Sequence, residues 1–370
     1  MIKKHKTLLA YMLALAVFTT YVVMDTFVIS RVYGEVSDSG SGTEAALQAE
    51  SDNDKDKDTA NGTDGSAAED AESSGSHGPG GKHGKGNGGP PSGGPGHGSK
   101  PGKSKSSPDS STEDGSSSSS GTSGTSTSDS YSDDNISIKL SEYTEDGTVV
   151  HVAEVKADSA DYLKTAFAQG SYGKNVTATT SDIADSVNAI LAINGDYYGT
   201  QEKGYVIRNG KLYRSTAVSG REDLVIYEDG TFEIINESEV TADQLMAKGA
   251  VQTLSFGPAL IENGTVSVDG NDEVGRAMAS NPRTAIGIKA DGTYLFVVSD
   301  GRTEESEGLS LLQLAEFTKE LGAETAYNLD GGGSSTMVFN GSVVNTPTGG
   351  GIGNGSGSER KVSDIVYIGY

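Results

Sequence analysis

The sequence predicts an α+β fold, a mixed but largely antiparallel β-sheet with packed helices, carried behind an N-terminal membrane anchor and a disordered linker. Three observations predict it. An apolar run opens the chain, about a hundred residues almost devoid of large apolar side chains follow, and the remainder alternates short apolar runs with Asn-Gly and Asp-Gly pairs. An α/β arrangement is the alternative.

The first element is the anchor, within residues 1–34. Lys3, Lys4 and Lys6 precede an apolar run from Leu8 to Ser30 that only Asp25 and a few hydroxyls interrupt. A spanning helix needs ~20 apolar residues, so the run is long enough. The positive flank places Met1 in the cytoplasm and everything after Arg31 outside, which gives a single-pass cell-membrane protein with an extracytoplasmic domain. A cleaved signal peptide is the competing reading, but the run is long for one and no A-x-A site follows it.

Residues 35–135 form the second element, a low-complexity linker. An acidic block, a His/Lys/Gly/Pro block containing His77, His83 and His97, and a Ser/Asp block follow one another, none able to bury a core. As a flexible coil of about a hundred residues it would span roughly 50–60 Å.

The third element is the domain, residues 136–370. Asn209-Gly210, Asp229-Gly230, Asn263-Gly264, Asp291-Gly292 and Asn340-Gly341 lie between apolar or alternating runs, as two-residue hairpin turns do. Helical patterns cover Ser159–Ala168, Ser181–Asn188, Thr241–Lys248 and Ser310–Leu321. In the last of these Ser310 and Gln313 fit a capping box, and Gly322 stops the helix.

Composition removes whole classes of chemistry. The chain has no cysteine, which excludes a thiolate nucleophile and a Cys-ligated zinc, and His151 is its one histidine after Asn135. A net charge of -24 argues against nucleic acid as a partner. Seven arginines follow Asn135, and Arg208, Arg283, Arg302 and Arg360 sit beside polar turns as candidate local anion sites. The remaining chemistry rests on Asp, Glu, Asn, Arg, hydroxyls and backbone amides.

Those residues cluster where apolar runs end. Ala189–Ile193 runs into Asn194-Gly-Asp-Tyr-Tyr198, Tyr294–Val298 into Ser299-Asp-Gly-Arg302, and Thr325–Tyr327 into Asn328-Leu-Asp-Gly-Gly-Gly-Ser-Ser335. If the three strands share a sheet and a direction, Asp196, Asp300 and Asp330 converge at one edge. Isolated Asn-Gly and Asp-Gly pairs are ordinary turn formers. Three consecutive glycines followed by hydroxyls exceed what a turn needs and suit an anion-cradling nest. Arg283 opens a strand after Asn281-Pro282, and Glu359-Arg360 follows the Gly/Ser/Asn-rich stretch Gly349–Ser358.

In order and content these pieces resemble the phosphodiester glycosidase domain family. That family includes the mannose-6-phosphate uncovering enzyme and many bacterial exopolysaccharide-associated proteins. Asn194-Gly-Asp-Tyr-Tyr198, Asn281-Pro-Arg-Thr-Ala-Ile-Gly287, Asp300-Gly-Arg302, Asn328-Leu-Asp-Gly-Gly-Gly-Ser-Ser-Thr-Met337 and Glu359-Arg360 carry the likeness over most of residues 150–370. It implies a hydrolase that cleaves a sugar-1-phosphodiester in a cell-surface or exopolysaccharide glycan at the sugar-oxygen bond. Asp330, Asp196, Asp300 and Glu359 are the carboxylates available to it. Asn194, Arg283, Arg302, Asn328, Gly331, Gly332, Gly333, Ser334, Ser335 and Arg360 would hold sugar and phosphate. The implied partner is a phosphorylated glycan or cell-wall polysaccharide, and a divalent cation such as calcium is the one cofactor the Asp and Asn oxygens could accept. A non-catalytic polysaccharide-binding or assembly factor would need the arginines and the glycine loop but not Asp330. A wall-polymer phosphotransferase would need an acceptor site.

Overall fold

The computed structural model describes Met12, residues 15–24 and 28–35, 125–268, 280–349 and 357–370. Most of the predicted linker, much of the N-terminal part of the predicted anchor with residues 25–27, and residues 350–356 of the Gly349–Ser358 stretch lie outside these residues. Residues 15–24 are helical, and among the described residues no helix is long and apolar enough to cross a membrane.

The domain is built on an antiparallel sheet of nine strands. Its order is 265–266, 259–262, 323–328, 283–289, 294–299, 148–157, 136–145, 130–132 and 125–126. A five-stranded sheet (342–343, 337–339, 191–194, 364–368, 163–167) and a three-stranded one (232–236, 222–227, 250–254) pack against it. Every strand ladder among the described residues is antiparallel, so the fold is α+β.

The large sheet is covered on both faces, which is why its strands read as continuous apolar runs rather than alternating ones. Phe296 and Val298 enter the core shared with Leu191, Ile193, Leu224, Met337 and Val366. Leu295 and Val297, one residue out of phase, enter a second core with Leu311, Leu314 and Phe317. Those last three belong to the helix Leu311–Glu320, with its Ser310/Gln313 capping box and Gly322 at φ +90° as the sequence predicts. Helices Thr180–Ser186 and Ala242–Ala247 also lie on predicted segments. The helix predicted over Ser159–Ala168 is absent. One 3-10 turn gives way there to strand Leu163–Phe167, in which Leu163, Thr165 and Phe167 are buried, so a period of two overrides helix propensity.

Asn209-Gly210, Asn263-Gly264 and Asn340-Gly341 are two-residue turns with both residues at positive φ, and Asp146-Gly147 is a further one. Asp229-Gly230 and Asp291-Gly292 lie in longer turns. There the aspartate Oδ1 accepts the backbone N–H of Thr231 or Thr293 two residues on, an Asx-type bond that competes with the tight hairpin.

The chain segment Arg31–Glu35 pairs with Ser171–Lys174 in a two-stranded ladder. Gly173 permits it, since a Cβ there would collide with the Arg31 carbonyl oxygen.

Candidate active site

Strands 294–299 and 323–328 both run antiparallel to 283–289, so their C-terminal ends leave the large sheet at the same edge. Asp300 and the Asn328–Ser335 loop therefore emerge at the same end of the sheet, on either side of strand 283–289. Strand Leu191–Asn194 belongs to the five-stranded sheet instead, so the three predicted strand ends do not share one sheet. Backbone and carboxamide bonds bring it alongside the loop all the same. The Asp330 amide donates to the Gly195 carbonyl, and Asn194 Nδ2 donates to the Asp330 carbonyl at 2.6 Å. Asn194 Oδ1 accepts from Thr284 Oγ1 and the Thr336 amide, so this carboxamide fixes the loop from both ends.

The three glycines each lie against an arginine. Gly331 faces the Pro282 carbonyl and the Arg283 side chain, a Cβ on Gly332 would stand 3.0 Å from Arg302 Nη2, and one on Gly333 would stand 3.0 Å from Arg360 Nη2. Gly332 also has φ +63°, a conformation most side chains avoid. The glycines thus let two guanidinium groups close on a single turn of backbone. Arg302, itself at φ +61°, is held by donating from Nε and Nη2 to Asn281 Oδ1 at 3.2 and 2.9 Å. Arg360 donates to Ser334 Oγ at 3.3 Å.

Asp330 stands at the head of this loop, with Ser334 Oγ donating to its Oδ2 at 2.6 Å. Burial pushes its carboxyl above the usual range, and the Ser334 hydrogen bond and the Arg360 charge pull it partly back. Asn328 donates to the Gly257 carbonyl at 2.7 Å, while its buried Oδ1 has no donor among the described residues. A carboxylate and two guanidinium groups therefore surround one glycine turn. Such a set can hold an anion beside a proton acceptor.

A family model described as phosphodiester glycosidase matches residues 187–369. The chain carries a phosphodiester glycosidase domain. It is 31% identical over 208 residues to the mouse N-acetylglucosamine-1-phosphodiester alpha-N-acetylglucosaminidase, which covers 52% of this chain and 40% of that protein. It is 29% identical over 221 residues to the SPbeta prophage-derived uncharacterized protein YomE of Bacillus subtilis (strain 168), covering 58% of this chain and 33% of the relative. The chain thus spans less than half the length of these relatives. The solved catalytic domain of the zebrafish N-acetylglucosamine-1-phosphodiester alpha-N-acetylglucosaminidase, auto-inhibited by its pro-peptide, superposes with a TM-score of 0.51 at 25% identity, over 64% of this chain and 83% of that one.

Within the phosphodiester glycosidase domain the other predicted site residues are divided between this turn and structural roles elsewhere. Arg283 is buried, donating from Nε to the Leu309 carbonyl. Ser335 is buried behind the loop, its amide donating to the Gly332 carbonyl. Asp300 is placed apart from Asp330, accepting from the Thr346 amide and lying 3.7 Å from His151 Nε2. Against the effect of burial, those contacts hold its carboxyl below the usual range. Glu359 is not directed at the loop: it accepts from the amide and the hydroxyl of Ser181 at the start of helix Thr180–Ser186.

Asp196 is fully buried, and its oxygens accept from the Tyr198 amide, Arg208 Nη2 and the Ser255 amide. Arg208 bridges from it to Asp364, donating to Oδ2 from Nε and Nη2 at 3.1 and 2.8 Å. Arg208, a candidate anion site in the sequence, is therefore consumed internally. Asp364, not among the candidate residues predicted from the sequence, is raised by burial and by the Asp196 charge. The signal that marks it is an acid at the head of an otherwise apolar strand. Asp223 carries the same mark at the start of strand Glu222–Tyr227; it is raised to about 10 by burial and then by the nearby Glu237 charge. Among the described residues no group of three or more His, Asp or Glu side chains is arranged to hold a metal ion.

Proposed function

We propose that this domain is an extracytoplasmic hydrolase that cleaves the bond between an anomeric sugar carbon and a phosphodiester oxygen in a cell-surface or exopolysaccharide glycan. The observation that carries it is the placement of Arg302 and Arg360 against Gly332 and Gly333 with Asp330 at the head of the same turn. The likeness to enzymes named for a sugar-1-phosphodiester supports the same bond.

In this mechanism the two guanidinium groups and the loop hold the phosphodiester, a planar-fork recognition of paired oxygens. Water attacks the anomeric carbon as its bond to the phosphate oxygen breaks. The phosphomonoester leaves with the electron pair, stabilised by the arginines. Asp330 accepts the proton of the attacking water and returns it to solvent. A phosphomonoester is a good leaving group, so one carboxylate suffices and no symmetric acid pair is required. The predicted anchor would hold the domain at the outer face of the cell membrane.

Hydrolysis of a nitrophenyl sugar-1-phosphodiester in ¹⁸O-water, with and without calcium, tests this. The expected products are free sugar carrying the label and unlabelled nitrophenyl phosphate. Label in the phosphate instead would place cleavage at phosphorus and exclude this chemistry.

A further inference from the structure

We propose that the cavity between the N-terminal strand and the Tyr172–Tyr198 stack is a second binding site, for a sugar unit bearing a carboxylate or phosphate. It goes beyond the hydrolytic reading and does not depend on it. The cavity measures about 320 Å³ and is lined by Arg31, Tyr33, Tyr172, Lys174, Tyr198 and Arg214 among others. None of the lining residues belongs to the glycine turn or to its arginines. Its size lies at the low end of the ~300–1,000 Å³ typical of small-molecule sites, suited to a single sugar ring.

The walls are aromatic and built. Tyr172 and Tyr198 stack at 5.4 Å with an interplanar angle of 15°, Tyr33 meets Tyr172 at 5.8 Å, Phe167 backs both members of the stack and Tyr213 packs on Tyr172 and Phe167. Tyrosine presents an apolar face and a polar tip, the combination that a pyranose with its C–H face and hydroxyl rim requires. The Tyr33 wall is held in register by the Gly173 ladder, by Ser30 Oγ donating to the Asn175 carbonyl and by Asn175 Nδ2 donating to the Ile29 carbonyl.

The charge decides the ligand. Arg214 donates from Nε to the Gly204 carbonyl and from Nη1 to the Tyr198 and Gln201 carbonyls, while its buried Nη2 has no acceptor among the described residues. None of the ion pairs among the described residues includes it. Arg214 is thus not neutralised by a carboxylate, and together with Arg31 and Lys174 it gives the cavity wall a positive charge that favours an anionic ligand. The acid on the cavity wall, Glu202, already pairs with Lys174 at 2.9 Å. In a chain of net charge -24, three cations around one aromatic cavity are a local exception.

The chain has no tryptophan, so its fluorescence is that of its 16 tyrosines, of which Tyr33, Tyr172 and Tyr198 line this cavity; the exchange data localise any change to it. Galacturonic acid, glucose 6-phosphate and glucose are titrated into the full-length protein, its Asp330→Asn variant and its Arg214→Gln variant. Amide exchange of residues 31–35 and 171–174 is followed in parallel. The expected result is saturable quenching by at least one acidic sugar, at least tenfold tighter than glucose, with slower exchange in both strands. It persists in Asp330→Asn and weakens at least tenfold in folded Arg214→Gln. If Arg214→Gln does not fold, the exchange data on the unsubstituted protein decide. Binding by one acid alone supports the site and assigns its anion. No binding of either acid at about 10 mM, binding equal to that of glucose, or loss of all binding in Asp330→Asn overturns it.

Discussion

The Ser334 hydroxyl donates to the Asp330 carboxylate at 2.6 Å and accepts from Arg360 at 3.3 Å. The serine therefore links the carboxylate to a guanidinium group, and it opposes the burial that raises the carboxyl. A base in this position works only when ionised. Ser334→Ala is expected to move the acid limb of the kcat/KM profile upward by about 0.5–1 pH unit. A pH series on the variant and the parent checks this.

The arginines and the glycines should fail together. Arg302→Gln and Arg360→Gln are each expected to lower kcat/KM by ~10²-fold with little change in Tm, as loss of one donor to a developing anion does. Gly332→Ala should lower kcat/KM similarly without removing a charge, and lower Tm as well, because its φ is +63° and its Cβ would press on Arg302. Steady-state kinetics on the three variants, with thermal melts as the control for folding, measure it.

Asp223 sets an expectation for stability. Its carboxyl is held at about 10 in the folded chain, against an ordinary aspartate value when unfolded. Between these values the folded state binds one proton more than the unfolded state, so this group's contribution is full below about pH 4 and is lost as pH rises toward 10. The slope reaches at most ~1.4 kcal/mol per pH unit. Asp223→Asn should flatten the fall in stability between pH 6 and 9 and raise Tm at pH 8, as read by denaturant or thermal melts across that range.

The N-terminal ladder depends on one missing Cβ. Gly173→Val should displace Arg31–Glu35 and speed amide exchange there, while leaving exchange in strand 294–299 unchanged. Strand 31–35 is covered on one side only, whereas strand 294–299 is buried on both faces of its sheet.

Much of this was legible in the residues, for identifiable reasons. Asn-Gly turns, the Ser310/Gln313 cap and the glycine triplet are local, so their chemistry is written in adjacent letters. The strand Leu163–Phe167 was not, because its conformation is decided by a partner two hundred residues away, Asp364–Ile368. Side-chain partnership was the least legible of all. The glycine triplet marks the loop after Asp330, but nothing in the sequence shows that Asp196 is spent on Arg208. Nor does it distinguish Arg360 from Arg208, or reveal that Glu359 caps a helix. Those distinctions arise from long-range packing.

Asp330 carries the central claim. Asp330→Asn keeps the size of the side chain and a Ser334 acceptor but removes the base. Turnover of a nitrophenyl sugar-1-phosphodiester by the purified variant is expected to fall at least ~10²–10⁴-fold, the usual contribution of a general base, with an unchanged melting curve. Turnover equal to the parent's in a folded variant would contradict it.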